Sequence, residues 1–294
     1  MTTPGTARTA PLTFGRVVVI GGGCYGSWYT QQLMRAQQRG ALDVQDVVVV
    51  DRDASCRVAT LVAEGAYGAL PVRLAITTWD GYLDEWLAMG PDALRHDAMV
   101  PSPLMPHVCL DWLMRRARAR WPERDMQVVP LDVDPATPWQ RAAPDGRHYV
   151  SYATWICPTN CIEPARCPAI KAPRDWSMPV TISRIPTQEH QEHQEHAERE
   201  AYPDHSTGWE SRSGSRSGFL SGSLSGSVAK SQPTLRGTVI FQCVHRTYGV
   251  GMIDAATIAE ADVRLRAWGN EGPCRVLVGT MSHCHGALGV LALA

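Results

Sequence analysis

Lysine is almost missing from this chain. Of its 28 basic side chains only Lys171 and Lys230 are lysines, and phenylalanine occurs three times in 294 residues. The arginine bias reads as genomic composition. The 28 basic residues face 29 acidic ones, a formal net charge of −1, so no overall positive field recruits nucleic acid or an anionic membrane. Long apolar runs are also lacking. VVVI (17–20) and GALGVLALA (286–294) fall far short of the roughly 20 residues that span a bilayer. The N-terminal MTTPGTARTAPLTFG has neither the charged start nor the apolar stretch of a secretory signal. These absences lead to the expectation of a cytoplasmic protein with no nucleic-acid or membrane partner. Its nine cysteines are then expected as thiols or ligands rather than disulfides.

What is present is an alternation of short apolar runs and helical patterns. RVVVI (16–20), DVVVVD (46–51), VRLAITTWD (72–80), HDAMV (96–100) and MQVVPLD (126–132) read as strands. SWYTQQLMRAQQRG (27–40), ASCRVATLVAEG (54–65), GYLDEWLAM and PHVCLDWLMRRARARW (106–121) read as helices between them. Apolar runs of four to six residues spaced in this way predict parallel strands covered on both faces, an α/β doubly wound, mostly parallel sheet. RRARAR (115–120) reads as the solvated face and C-terminal end of its helix.

The character changes along the chain. Residues 1–14 read as a flexible tail, 15–133 as a nucleotide-binding unit and 134–185 as a Cys/Pro-rich segment with one strand near 147–155. Residues 186–234, with QEHQEHQEH and SRSGSRSGFLSGSLSGS, are polar low-complexity sequence and are expected as a disordered insertion. Residues 235–294 return to α/β patterning: strands at GTVIFQC (237–243) and CRVLVGT (274–280), a helix over 254–268 with Asp254 at its N-cap, and a short apolar helix from Gly286. They are expected to extend the first sheet or form a small lobe against it.

GGGCYG (21–26) follows the first strand directly and opens the first helix. It fits G-x-G-x-x-G with Gly21 at the tight turn, Gly23 where backbone approaches a pyrophosphate, and Gly26 where helix meets strand. Helix-start amides and the helix dipole favour phosphate there. Asp51 ends the second strand, 25 residues after Gly26, and suits ribose hydroxyls. Cys24, inside the loop, reads more simply as a small residue that fits than as a redox thiol.

VVVIGGGCYGSWYTQQL…VVVVDRD resembles the NAD(P)-binding Rossmann family, most closely the nucleotide-binding domain of potassium-uptake regulators of the TrkA-N type and related dehydrogenases. The resemblance covers about residues 15–133. It implies a bound dinucleotide held by Gly21, Gly23, Gly26 and Asp51. Asp51 suits NAD and the adjacent Arg52 suits the 2′-phosphate of NADP, so both stay open. FAD and S-adenosylmethionine, the latter with methyl transfer, are the other ligands such a loop takes.

In open α/β sheets ligands bind beyond the carboxyl ends of the strands. The groups expected there are Ser102 after the fourth strand, with His107 at the next helix; Cys243, His245, Arg246 and Tyr248 after VIFQC; and His283, Cys284 and His285 after RVLVG. His245, His285 and Ser102 are the candidate catalytic groups, with Arg246 placed to hold an anion. Three titratable residues in a row, HCH, are unusual turn chemistry.

CPTNCIEPARCP (157–168) carries Cys157, Cys161 and Cys167 as C-x3-C-x5-C. Three close thiols suit zinc or an iron–sulfur cluster, a thiol redox site, or plain packing. The spacing matches neither ferredoxin nor zinc-knuckle patterns. A fourth ligand is expected from Cys243, Cys284, His283 or His285. Two function classes follow. One is an NAD(P)-dependent oxidoreductase acting on a small molecule, with a Cys-based metal or Fe–S site. The other is a regulatory protein that senses a nucleotide effector, with a structural metal. Either is compatible with a homo-oligomer.

Overall fold

In a computed structural model of the chain, residues 10–157, 161–201 and 234–294 are described. Most of the expected tail (1–9) and of the expected insertion (202–233) therefore lie outside the described residues.

The protein is mixed α/β. The first sheet contains β1 (Leu12–Ile20), β2 (Leu42–Asp51), β3 (Val72–Ile76), β4 (Ala98–Val100), β11 (Val244–Thr247) and β12 (Val250–Asp254) in the order β11-β12-β4-β1-β2-β3. β3, β2, β1 and β4 run parallel, whereas β12 and β11 add as an antiparallel hairpin. The continuous valine runs exist because this sheet is covered twice. Val18, Ile20, Val48 and Val50 face one apolar cluster, and Val17, Val19, Val47 and Val49 face another. Burying such a side chain contributes about 1.5–3 kcal/mol. Helices α1 (Cys24–Gln38) and α2 (Arg57–Ala63) cover the second face, and α3 (Trp79–Leu87), α4 (Val108–Arg120) and α7 (Ala255–Glu271) the first.

The single, mostly parallel sheet expected from the pattern is instead two sheets. The second comprises β5 (Met126–Val129), β6 (Trp139–Ala142), β7 (His148–Ser151), β10 (Leu235–Gln242), β13 (Cys274–Met281) and β14 (His285–Leu293). Only β10 and β13 are parallel in it. Val239, Phe241, Val276, Val278 and Leu291 pack on the same cluster as α4 and α7, so those helices are sandwiched between the sheets. Its far face is closed by α5 (Met178–Ser183) through Met178 and Ile182. A two-stranded ribbon, β8 (Arg166–Cys167) with β9 (Ala172–Pro173), carries the end of the cysteine loop.

Several expectations are corrected. The apolar C-terminus is β14, not a helix; it pairs with β13 on one side and with β7 and β5 on the other. Both its faces are covered, so its apolar residues do not alternate. Residues 188–201, expected as disordered, form α6 (Gln188–Ala201), where Glu189 and Glu192 pair with Arg264 and Arg236. The RRARAR arginines are not simply solvated. Arg115 pairs with Asp80 and Asp84 of α3, and Arg116 and Arg120 pair with Asp262 of α7. Among the described residues no helix is long and apolar enough to cross a membrane.

Candidate functional site

The glycine loop forms the expected strand-to-helix turn. Gly21 has φ +88°, and its amide donates to the Val50 carbonyl. A Cβ on Gly26 would stand 1.7 Å from the Gly21 carbonyl oxygen, so only glycine fits there. Gly23 precedes α1, is exposed, and has open space where a Cβ would go. Asp51 Oδ2 accepts from the Gly22 amide at 2.6 Å and Oδ1 from the Asp53 amide at 2.9 Å. The carboxylate thus fixes the loop.

A cavity of about 790 Å³ opens beside the C-terminal end of β4, the edge of the first sheet on which the glycine loop stands. The loop glycines do not line it, but Tyr29 of α1 does. Ser102 and the prolines after β4 form one wall; Ser102 is buried and its hydroxyl accepts from the Leu104 amide. Chain crossings supply the rest. Cys243 is the single residue between β10 of the second sheet and β11 of the first, and its amide donates to the Met281 carbonyl. The turn between β13 and β14 brings Cys284 and His285, and the end of β7 leads into the loop carrying Cys157, Cys161, Glu163 and Cys167. The five candidate ligand cysteines and all three candidate catalytic residues line this one cavity.

β10 and β13 therefore do not join the parallel set of the first sheet, yet their ends reach the cavity because the second sheet abuts it. Four expected groups do not line the cavity: His107 is buried against the Tyr149 ring and Tyr248 is exposed, and two more are turned away. His283 stands beside Ser177 at 3.4 Å and does not line the cavity. Arg246 pairs with Asp254 at 2.5 Å and lies over the Phe14 ring, so it holds no anion in the cavity. Asp254 stands at the N-cap of α7, but its carboxylate serves Arg246 rather than the helix amides.

The organising side chain is Glu163, which lies in the middle of the cysteine stretch. Its carboxylate accepts from Ser282 Oγ at 2.6 Å and from the amides of His283 at 3.0 Å and Cys284 at 3.3 Å. A buried carboxylate thus replaces the usual turn residues and lets HCH occupy a hairpin end. His245 Nδ1 stands 3.4 Å from Glu163 Oε2. Burial pushes the Glu163 pKa up, but the His245 ring, Ser282 and the turn amides outweigh it and hold it at about 2. Glu163 adopts φ +48°, a conformation costing about 1–3 kcal/mol for a non-glycine residue, which these contacts hold in place.

The proton inventory orients His285. Ser151 Oγ accepts from the Ala153 amide at 2.9 Å and reaches the Ala153 carbonyl at 2.8 Å and His285 Nδ1 at 3.0 Å. The carbonyl has no proton to give, so the single hydroxyl proton goes to it, and His285 donates from Nδ1. Its Nε2 then carries the lone pair, available as a base or ligand. Burial, Arg174 and His245 lower the His285 pKa against the opposing pull of Glu163. A Cβ on Gly251 would lie 2.5 Å from Cys243 Sγ and 3.5 Å from His245 Nε2, so this glycine makes the room both side chains use.

Burial and the Glu163 carboxylate push Cys243 up to about 12, and burial raises Cys157 and Cys284. All nine cysteines are free. Among the described residues no three His, Cys, Asp or Glu side chains meet around one point as ligands of a single ion; the sulfurs surround the cavity. Sequence reasoning overlooked Glu163, Ser151, Arg174, Trp155 and Tyr29. No sequence signal marked Glu163, a lone carboxylate between Cys161 and Pro164, as buried.

No curated protein and no solved structure matches the chain. A family model described as "Uncharacterized protein, C-terminal domain" matches residues 109–197 and 220–294. Those stretches contain every cavity cysteine and histidine, while the glycine loop lies outside them. With more than half of its residues matched in this way, the chain belongs to the AF_1314_C family.

Proposed function

We propose that the protein is an NAD(P)-linked oxidoreductase whose reaction takes place in the cavity beyond β4, with the cavity thiols holding a metal or iron–sulfur centre. The observation that carries this reading is the placement of the cavity on the same sheet edge as the glycine loop, one strand away from it. The parallel order β3-β2-β1-β4 is like the first four strands of a dinucleotide-binding sheet, in which phosphate lies at the turn after β1 and the reactive end towards β4, and this likeness supports the reading. A bound nicotinamide would supply hydride chemistry. The chain's own part is to hold the pyrophosphate at the α1 amides, to admit a small substrate between Tyr29, Ser102 and Tyr149, and to move a proton at His285 Nε2. Arg52, exposed beside Asp51, bears on the choice between NAD and NADP.

The test is titration of the full chain with NADH and NADPH, followed by nicotinamide fluorescence, for wild type and Gly23→Ala. A Cβ at Gly23 meets nothing in the protein but would occupy the path of a pyrophosphate. Binding lost in the variant at unchanged melting temperature supports the reading. Wild type that binds neither dinucleotide sinks it, and binding of S-adenosylmethionine or FAD instead would redirect it.

A second reading is supported by the separation of the glycine loop from the cavity lining. A nucleotide bound at the loop would then act as an effector, its signal passing through α1 and Tyr29. The His245→Ala and His285→Ala variants discriminate: a sensor keeps its response in cells, and an oxidoreductase loses turnover.

A further inference from the structure

One end of the second sheet presents a single face to the cavity, and strand register sets out two rows of side chains across it. In the first, Trp139 of β6 pairs with Ser151 of β7, and Ser151 with His285 of β14. In the second, Tyr149 of β7 pairs with Ala287 of β14, and Ala287 with Thr280 of β13. Paired residues, and residues two apart on one strand, share a face. All six side chains therefore stand on the same side of the sheet, and all six line the cavity. On this same face of β14, Leu291 and Leu293 pack into the cluster that α4 and α7 share. The helices fill the layer between the sheets at that end, and at Ala287 and His285 the layer is left open.

Trp139 and Tyr149 are diagonal neighbours on this face, and beside Tyr149 the row drops to Ala287, which leaves room above the sheet. The Tyr149 ring is held by the His107 ring, with centroids 5.3 Å apart. Pro101, Pro103 and Pro106 line the wall after β4, and Trp155 lines the cavity from the loop after β7. Proline rings and aromatic faces are rigid apolar surfaces, ordered at little entropic cost. The hydroxyls of the polar row are committed. Ser151 gives its proton to the Ala153 carbonyl, and Ser282 gives its own to Glu163. His285 is exposed and donates from Nδ1 to Ser151, so Nε2 faces a ligand as an acceptor.

We propose that this cavity takes an aromatic compound carrying a hydroxyl group, its ring against Trp139, Tyr149 and the proline wall and its hydroxyl donating to His285 Nε2. As a substrate class this rests on the reading of the cavity as the reaction site, whereas the binding itself needs no dinucleotide. Offset or edge-on contact with two rings favours an aromatic ligand over a saturated one of the same size. The Nε2 lone pair favours a hydroxyl over an ether, which has no proton to give. The volume of about 790 Å³ admits a fused-ring compound and falls within the range of small-molecule sites, about 300–1,000 Å³.

The experiment is calorimetric titration of the full-length protein with naphthylmethanol, its methyl ether and its decahydro counterpart. Wild type is expected to bind naphthylmethanol about 3–10-fold more tightly than the saturated alcohol. It should prefer the alcohol to the ether by about 5–10-fold, and His285→Ala should abolish that preference. Trp139→Leu and Tyr149→Leu should each weaken naphthylmethanol binding by about 3–10-fold. Trp139 is 43 % exposed, so Trp139→Leu should melt as wild type does, and it decides the question if Tyr149→Leu fails to fold. A wild type that binds none of the three, that binds the saturated alcohol equally well, or whose naphthylmethanol affinity survives Trp139→Leu overturns the assignment. Naphthylmethanol binding in a protein that binds no dinucleotide sinks the oxidoreductase reading and leaves this site standing. Dinucleotide-dependent turnover confined to non-aromatic alcohols does the reverse.

Discussion

Glu163 and His245 meet in the cavity wall, with Oε2 and Nδ1 3.4 Å apart. The pair joins a loop, a strand of the first sheet and, through Ser282 and Cys284, a hairpin of the second.

Acid stability should report this carboxylate. Its pKa falls from the ordinary 4.5 to about 2, so its contribution is complete above about pH 5 and is lost as pH falls towards 2. The shift corresponds to about 3 kcal/mol. Glu163→Gln is expected to be less stable than wild type by about that amount at pH 7, with the difference shrinking between pH 5 and pH 2. Denaturant unfolding at several pH values measures it; a pH-independent difference would mean that the lost packing, not the charge, matters.

The two glycines of the loop should behave oppositely on substitution. Gly26→Ala drives a Cβ into the Gly21 carbonyl and should cost several kcal/mol, of the order of a severe overpacking (about 3 kcal/mol). Gly23→Ala changes only a helix-capping position and should stay within about 1 kcal/mol. Thermal melts of the two variants distinguish them, and equal losses would contradict the loop geometry.

Gly251→Ala should close the room used by Cys243 and His245. The 2.5 Å approach to Cys243 Sγ forces that thiol to move, at about 1–3 kcal/mol. Mass-spectrometric labelling of Cys243 with a small alkylating agent should change in rate while labelling of exposed Cys24 stays constant.

His285 should titrate below an ordinary histidine. Because its folded pKa is lowered, the unfolded chain takes up the proton first, and this ring's contribution to stability falls as pH drops below 6.5. Arg174→Met should move the His285 titration up and Glu163→Gln should move it down, since Arg174 opposes and Glu163 favours the charged ring. Imidazole NMR reads both shifts and should show Nδ1 protonated in the neutral form, a preference weakened by Ser151→Ala.

Local physics made much of the chain legible. The β-branched runs VVVI (17–20) and VVVV (47–50), set between helical patterns, favour strands buried on both faces, and GGGCYG between a strand and a helix favours a turn where backbone passes close to backbone. Both hold at Val17–Ile20 and at Gly26. GALGVLALA carried no such instruction: a uniformly apolar run has no period, and β13, β7 and β5 had to be in place on either side before it was a strand. The sequence also determined that Cys157, Cys161 and Cys167 stand together. Which distant groups join them depended on the crossing at Cys243 between two sheets and on the hairpin ending at His285, contacts separated by many tens of residues. Glu163 shows the limit most plainly. A lone carboxylate between Cys161 and Pro164 looks like surface polarity, and it becomes the buried hub only because a turn some 120 residues later offers it one hydroxyl, two amides and a histidine nearby.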